Sequence, residues 1–221
     1  AVRTGSARVL PAHLESNFIN PEYKGAQPAL CLRMPPVPRA VAGSRGEPDA
    51  AGSFSADDVI AAIRSAREDV GIVTLAPELP DGLDLVASLV AAGHIVSLGH
   101  SGATYDEAIA AIDLGASHAT HLFNRMSPMT HRAPGLPGAV LTRDEVAVEL
   151  ICDGHHVHAD ICRLAIRAKG QDRIMAITDG TAGSGLPVGS QARLGGQAIR
   201  VTERAAELAD GTLAGSTLTM D

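Results

Sequence analysis

Short apolar runs rich in Val, Ile and Leu recur along the chain and alternate with longer stretches whose apolar residues fall at helical spacing. This is the pattern of a parallel sheet wrapped by helices. Six runs read as strands: about Arg8 to Leu14, Ile72 to Leu75, His94 to Leu98, His118 to His121, Val146 to Ile151 and Ile174 to Thr178. Between them the spacing predicts helices over Ala56 to Asp69, with Ser55 as N-cap, and over Leu83 to Ala92, behind Asp81 and Gly82. Two more are expected over Thr104 to Leu114, closed by Gly115, and over Ala159 to Lys169, ended by Gly170. The Pro-, Gly- and Ala-rich stretch from Pro35 to Gly52 reads as a surface loop. Alternation broken by turn signals between Leu194 and Leu213 predicts a small β-hairpin, inserted at about 192–213 into a single domain spanning 1–221.

With 45% hydrophobic residues over 221 positions, the chain can bury one sizeable core. A net charge of -7 leaves no basic field for a nucleic-acid backbone or an anionic membrane, so neither is expected as a partner. Cys31, Cys152 and Cys162 fall in no metal-type spacing and read as reduced thiols. No apolar run approaches the roughly 20 residues that span a bilayer. The expected location is therefore the cytoplasm. The chain starts without Met and stops at Met220-Asp221 without a closing element, and is expected to be a fragment of a longer protein.

The placement of polar residues is more informative than their number. Glu15, His100, His121, Asp153 and Asp179 each fall at or just after the C-terminal end of an expected strand, the rim where an α/β barrel builds its active site. His100 and His121 are one strand-loop-helix unit apart, so both imidazoles can converge from neighbouring strands, with Glu15 approaching from the same rim. One carboxylate, two imidazoles and an open position form the ligand set of catalytic zinc and related divalent ions, which bind and acidify a water. Asp179 is then available as general base and acid for amide hydrolysis. His118 and His121, three apart on a strand, are expected to face opposite sides, with His121 inward and His118 packing or supporting a ligand. The run from Asp153 to His158 reads either as a metal-binding tract or as a solvated loop. Arg132 can fork onto a phosphate or simply be solvated.

These residues sit in blocks that resemble a known family: HLESNFINPEYKGAQP (His13 to Pro28), VTLAPE (Val73 to Glu78), GHSGATYDEA (Gly99 to Ala108), GASHATHLFNRMSPMTHRAPG (Gly115 to Gly135), ICDGHHVH (Ile151 to His158), ITDGTAGSG (Ile177 to Gly185) and LADGTLAGSTLTMD (Leu208 to Asp221). In this order and spacing they resemble the N-acetylglucosamine-6-phosphate deacetylases of the amidohydrolase superfamily. The resemblance implies a metal-dependent-hydrolase-type (β/α)8 TIM barrel, present here as about strands 3 to 8. It implies one or two divalent ions per site, zinc first and iron, cobalt or manganese as alternatives, with Glu15, His100 and His121 as ligands. Asp179 becomes the catalytic acid and base, and His156 a substrate contact that helps polarise the acetyl carbonyl. Ala26, Gln27, Asn124 and Arg125 fall among the sugar contacts, and the backbone near Ala214 and Gly215 lines the same pocket. Arg132 is implied as the phosphate anchor, reaching across a homodimer of the full-length protein.

The blocks depart from the family at Ser16-Asn17, where Gly-Pro is usual, at Gln27, where His is common, and at Arg125, where a small residue stands. A more flexible turn after Glu15 is expected. Rival readings are a related amidohydrolase acting on another N-acetylated amino sugar or a cyclic amide, and an inert relative that binds sugar phosphates. Retention of Glu15, His100, His121 and Asp179 together argues against inertness. With barrel strands one and two missing, the sheet should be open, with its first and last strands at opposite edges.

Overall fold

The structure, a computed structural model, describes residues 9–36 and 54–220. Six parallel strands form one curled sheet in sequential order: β1 Ala12–Glu15, β2 Val70–Leu75, β3 Ile95–Leu98, β4 His118–Ala119, β5 Ala147–Ile151 and β6 Ile174–Ile177. Five helices connect or flank them: α1 Ala56–Ser65, α2 Gly82–Ala91, α3 Tyr105–Asp113, α4 Gly135–Thr142 and α5 Ala159–Lys169. The result is a curled half-barrel, with β1 and β6 as its two edges and no strand pairing between them among the described residues. The central strands are dry on both faces, as a helix-covered parallel sheet requires: Val73, Thr74, Leu75, Val96, Ser97, Leu98, Val148 and Leu150 are fully buried.

Local signals account for most boundaries. Ser55 and Thr104 open α1 and α3 with complete capping boxes, closed by Asp58 and Glu107 respectively. Gly170 ends α5 at φ 73, a region that side chains with a Cβ avoid. Asp81 precedes α2 without a side-chain cap, in the left-handed region at φ 58. Helix α4, with the sequence GLPGAVLT, was not expected, because two Gly and a Pro disguise it; Pro137 is tolerated at its third position, within the first turn. Most of the stretch from Pro35 to Gly52 lies outside the described residues, as does the first residue of the Arg8 to Leu14 expectation.

The expected hairpin is in fact three-stranded: β7 Gln191–Leu194, β8 Gln197–Val201 and β9 Ala206–Glu207 form an antiparallel sheet. The third strand exists because Ala206 buries fully, with Ile199 at 1% exposure, in a small core that also takes Ala26 and Ala214. The Gln197 side chain donates to the Ala26 carbonyl at 2.7 Å. This small sheet is thereby fastened to the loop after β1, at the rim of the half-barrel.

Candidate active site

The C-terminal ends of the parallel strands surround a cleft of about 640 Å³, within the range of small-molecule sites. Its lining includes Glu15, Ala26, Gln27, His100, His121, Asn124, Arg125, His156 and Asp179. Gly215 also lines it, while its neighbour Ala214 is buried behind. Arg132 is exposed and does not line it.

Glu15, His100 and His121 bring one ligand atom each within 4.8 Å of one another. His100 Nε2 is 3.1 Å from Glu15 Oε1, and His121 Nε2 is 3.5 Å from Oε2. The two imidazole nitrogens face each other at 3.0 Å. His100 Nδ1 lies 2.7 Å from the Tyr23 carbonyl, which can only accept, so Nδ1 carries a proton and a neutral His100 would turn its Nε2 lone pair toward His121. Two nitrogens and a carboxylate converging in this way fit a divalent cation better than they fit each other. Glu15 is held far below the ordinary carboxylate range: burial alone would raise it, but the hydrogen bonds and positive potential of His100 and His121 prevail. The His121 imidazole is correspondingly raised; burial works against this, and Glu15 and Asp179 overcome it.

The turn after Glu15 is not loose. Ser16 is buried and donates its hydroxyl to the Thr74 carbonyl at 2.5 Å, while Asn17 donates to the Cys31 carbonyl at 2.6 Å. Side-chain hydrogen bonds thus hold the turn where Gly-Pro was expected to be needed for rigidity. Gln27 donates its amide to Glu15 Oε1, tying the loop carrying Ala26 to the carboxylate.

Asp179 reaches the same cleft just beyond β6, and burial chiefly pushes its pKa upward. His156 is oriented by Asp153, whose Oδ2 accepts from Nδ1 at 2.7 Å. Burial would raise Asp153, but the His156 and His155 backbone N–H groups and the His156 ring hold it down. The run from Asp153 to His158 is therefore not one tract: the His156 side chain is buried, whereas His155 is exposed and His158 caps α5.

Five of the residues facing the cleft have backbones in the left-handed region: His100 at φ 48, His121 at φ 31, Phe123 at φ 76, Arg125 at φ 51 and Asp179 at φ 48. Each such non-Gly residue costs about 1–2 kcal/mol and persists where its surroundings over-determine it, as at functional sites. This also corrects the expectation for His118. Strand β4 ends at Ala119, and the turn at His121 cancels the alternation that would have sent the two imidazoles to opposite faces. His118 contacts the ring of His13 and His121 contacts Glu15. His13 and Glu15 are two apart on β1, so all four side chains share the interior face.

Several supporting residues carried no legible signal. Glu78 accepts from the Ser101 hydroxyl at 2.7 Å, the Gly102 N–H at 2.6 Å and the Asn20 amide at 2.8 Å, pinning the loop behind His100. Glu149 accepts from His13 and His118, and these imidazoles bring its carboxyl down to about 2 against the upward push of burial. VTLAPE contains Glu78, but only the fold reveals what the carboxylate holds.

The motif resemblance is borne out by comparison with known proteins. The chain is 40% identical over 220 residues to an N-acetylglucosamine-6-phosphate deacetylase of Lysinibacillus sphaericus, covering 99% of this chain and 51% of that protein. It is 34% identical over 215 residues to an N-acetylgalactosamine-6-phosphate deacetylase of Escherichia coli O157:H7, covering 97% and 52%. The crystal structure of N-acetylglucosamine-6-phosphate deacetylase from Pasteurella multocida superposes with a TM-score of 0.81 at 32% identity, covering 98% of this chain and 51% of that one. No family model matches. The chain spans about half the length of the curated relatives it matches.

Proposed function

We propose that this chain carries the catalytic part of a metal-dependent hydrolase that removes the acetyl group from N-acetylglucosamine 6-phosphate, giving glucosamine 6-phosphate and acetate. The observation that supports this most is the convergence of Glu15, His100 and His121 on one point of the cleft that Asp179 and His156 also line. We read the six parallel strands as the third to eighth of a (β/α)8 barrel of the metal-dependent-hydrolase type. Zinc, iron, cobalt and manganese all suit one carboxylate and two imidazoles. A divalent ion held there supplies a Lewis acid and lowers the pKa of a water molecule.

The remaining work falls to the chain's own residues. Asp179 takes the proton of the attacking water and returns it to the departing amino nitrogen, balancing the hydrolysis of the amide C–N bond. Its upward-shifted pKa suits both halves of that cycle, since a stronger acid would be a poorer base. His156, with Nδ1 committed to Asp153, has Nε2 left to meet the acetyl carbonyl. Ala26, Gln27 and Asn124 border the space for the sugar. Arg125 forms no ion pair among the described residues and lines the cleft, so it offers the phosphate a contact within the chain. Arg132, outside the cleft of its own chain, serves as phosphate anchor from the neighbouring subunit of a homodimer. Free thiols at all three cysteines and the lack of a helix able to cross a membrane among the described residues support a cytoplasmic setting.

Metal analysis of the full-length protein, combined with acetate release from N-acetylglucosamine with and without the 6-phosphate, tests this reading. About one or two divalent ions per chain are expected, with strong preference for the phosphorylated sugar. Turnover without metal, or equal rates on both sugars, would refute it. Because one relative acts on the galactosamine epimer, N-acetylgalactosamine 6-phosphate belongs in the same assay. Faster release from that epimer would favour the second reading, a deacetylase for another amino-sugar phosphate.

A further inference from the structure

A second cluster of titratable groups lies deeper in the curl of the sheet, and the proposed reaction does not use it. His13 precedes Glu15 by two residues on β1 and points to the same interior face, further from the rim. Glu149 on β5 shares its Oε1 between His13 Nδ1 at 3.0 Å and His118 Nε2 at 3.1 Å. Its Oε2 accepts the backbone N–H of His121 at 3.3 Å. From His13 Nε2 the hydrogen bonds continue to the Thr74 hydroxyl at 2.7 Å, then to Thr120 at 2.7 Å and Ser97 at 2.6 Å.

The two Glu-His-His groups differ in chemistry. In the deeper one each carboxylate oxygen has a donor and each imidazole has an acceptor for its proton, so hydrogen bonds complete the cluster without a cation. In the upper one, His100 and His121 turn Nε2 atoms toward each other while a His100 proton is held on Nδ1 by Tyr23. The upper imidazoles are also oriented differently. A ligand His is normally fixed by a hydrogen bond from its other ring nitrogen. His100 has one, to Tyr23, but His121 Nδ1 is buried with no partner among the described residues. With no hydrogen bond behind it at Nδ1, the His121 ring is aimed from its backbone, which is held in a left-handed turn at φ 31.

Glu149 holds that turn from two sides. Its side chain accepts from His121 N–H, and its main-chain carbonyl accepts from Leu122 N–H at 2.8 Å. We propose that Glu149 is a positioning residue for the metal ligand His121: its carboxylate, pinned by His13 and His118, fixes the strained turn that aims the His121 imidazole at Glu15 and His100. The inference rests on the reading of Glu15, His100 and His121 as metal ligands.

The test is Co²⁺ affinity of the full-length protein, stripped with a chelator and titrated against a chromophoric competitor, below the melting temperature of each variant. Glu149→Gln turns an amide donor toward either the His121 N–H or the imidazole donors. It should melt cooperatively yet lose about 10–100-fold in Co²⁺ affinity, the usual effect of removing a group that orients a ligand. His118→Gln keeps an N–H for Glu149 Oε1 and should bind Co²⁺ as the wild type does, with the same stoichiometry. If Glu149→Gln fails to fold, Glu149→Asp keeps the charge but draws it back by about 1.5 Å, one C–C bond, and should show the same loss. A folded Glu149→Gln or Glu149→Asp variant with wild-type affinity would overturn the proposal. So would loss of one Co²⁺ in His118→Gln, since the deeper cluster would then itself be a cation site. A wild-type protein that binds no Co²⁺ would instead overturn the metal reading beneath it.

Discussion

Gly215→Ala tests how the structure delivers Asp179. Gly215 adopts φ 74, and a Cβ built there would lie 2.5 Å from the Asp179 carbonyl oxygen and 2.5 Å from Thr181 Cγ2. Ordinary contact begins at 3.4 Å, so relief requires a displacement of 3.4 − 2.5 = 0.9 Å at one backbone or the other. The carbonyl cannot give way freely, because it accepts the Ser216 N–H at 2.9 Å, while the Ser216 hydroxyl bonds the Thr178 carbonyl. The strain falls on the short backbone pairing between Gly180 and Ser216 that carries Asp179. Left-handed backbone at an Ala costs about 1–2 kcal/mol, and overpacking adds about 1–3 kcal/mol. A displacement near 1 Å at a catalytic group can cost about 100-fold in rate. The expected outcome in the full-length protein is a folded but destabilised variant, with kcat for acetate release down by about two orders of magnitude and metal content intact. Thermal melting, metal analysis and steady-state kinetics read the three quantities separately. Full kcat in Gly215→Ala would refute the claim that this pairing positions Asp179.

Other substitutions address the remaining roles. Asp179→Asn should retain metal but lose about 10²–10⁴-fold in kcat, the range for a general base; near-normal turnover would make Asp179 structural. In the metal-free protein the same variant should melt higher than wild type at neutral pH. The folded-state pKa of Asp179 is raised, so its contribution to stability is full at low pH and falls as pH rises through the window between the unfolded and folded values. The advantage of Asn should accordingly vanish in acid, and a pH-independent difference would contradict the linkage. Arg125→Ala and Arg132→Ala should each raise KM for the phosphorylated sugar far more than for the unphosphorylated one; equal effects on both sugars would remove that arginine from the phosphate site.

What could be read from the sequence depended on whether the signal was local. Strands β2, β3, β5 and β6 were placed within two residues at either end, because each is a short apolar run bounded by turn residues, as a parallel strand buried in whole or in part must be. Helix α5 was placed from Ala159 to Lys169 without error, since it carries its own stop in Gly170. Helix α4 was missed because burial stabilises it: Leu136, Ala139 and Val140 are fully buried, and tertiary packing overrides poor helix formers. The third strand of the small sheet was missed for the same reason, since Ala206 gains its place from a core assembled across distant segments.

The same division between local and assembled signals explains the site. Glu15, His100, His121 and Asp179 stood out because each is a polar residue where a strand's apolar run stops, and a parallel sheet brings such ends to one rim. Their supports did not stand out, since Glu149, Thr74 and Ser97 occur inside strands whose pattern calls for apolar side chains. There they read only as interruptions. In the structure those interruptions line one interior face and bond to one another from β1 to β5, so no polar group among them is buried alone. That network borders the turn at His121, whose backbone is strained and whose ring Nδ1 has no partner among the described residues. Among the residues that weaken the strand pattern, Glu149 bonds the strained turn itself, and Thr74 and Ser97 bond Thr120 beside it.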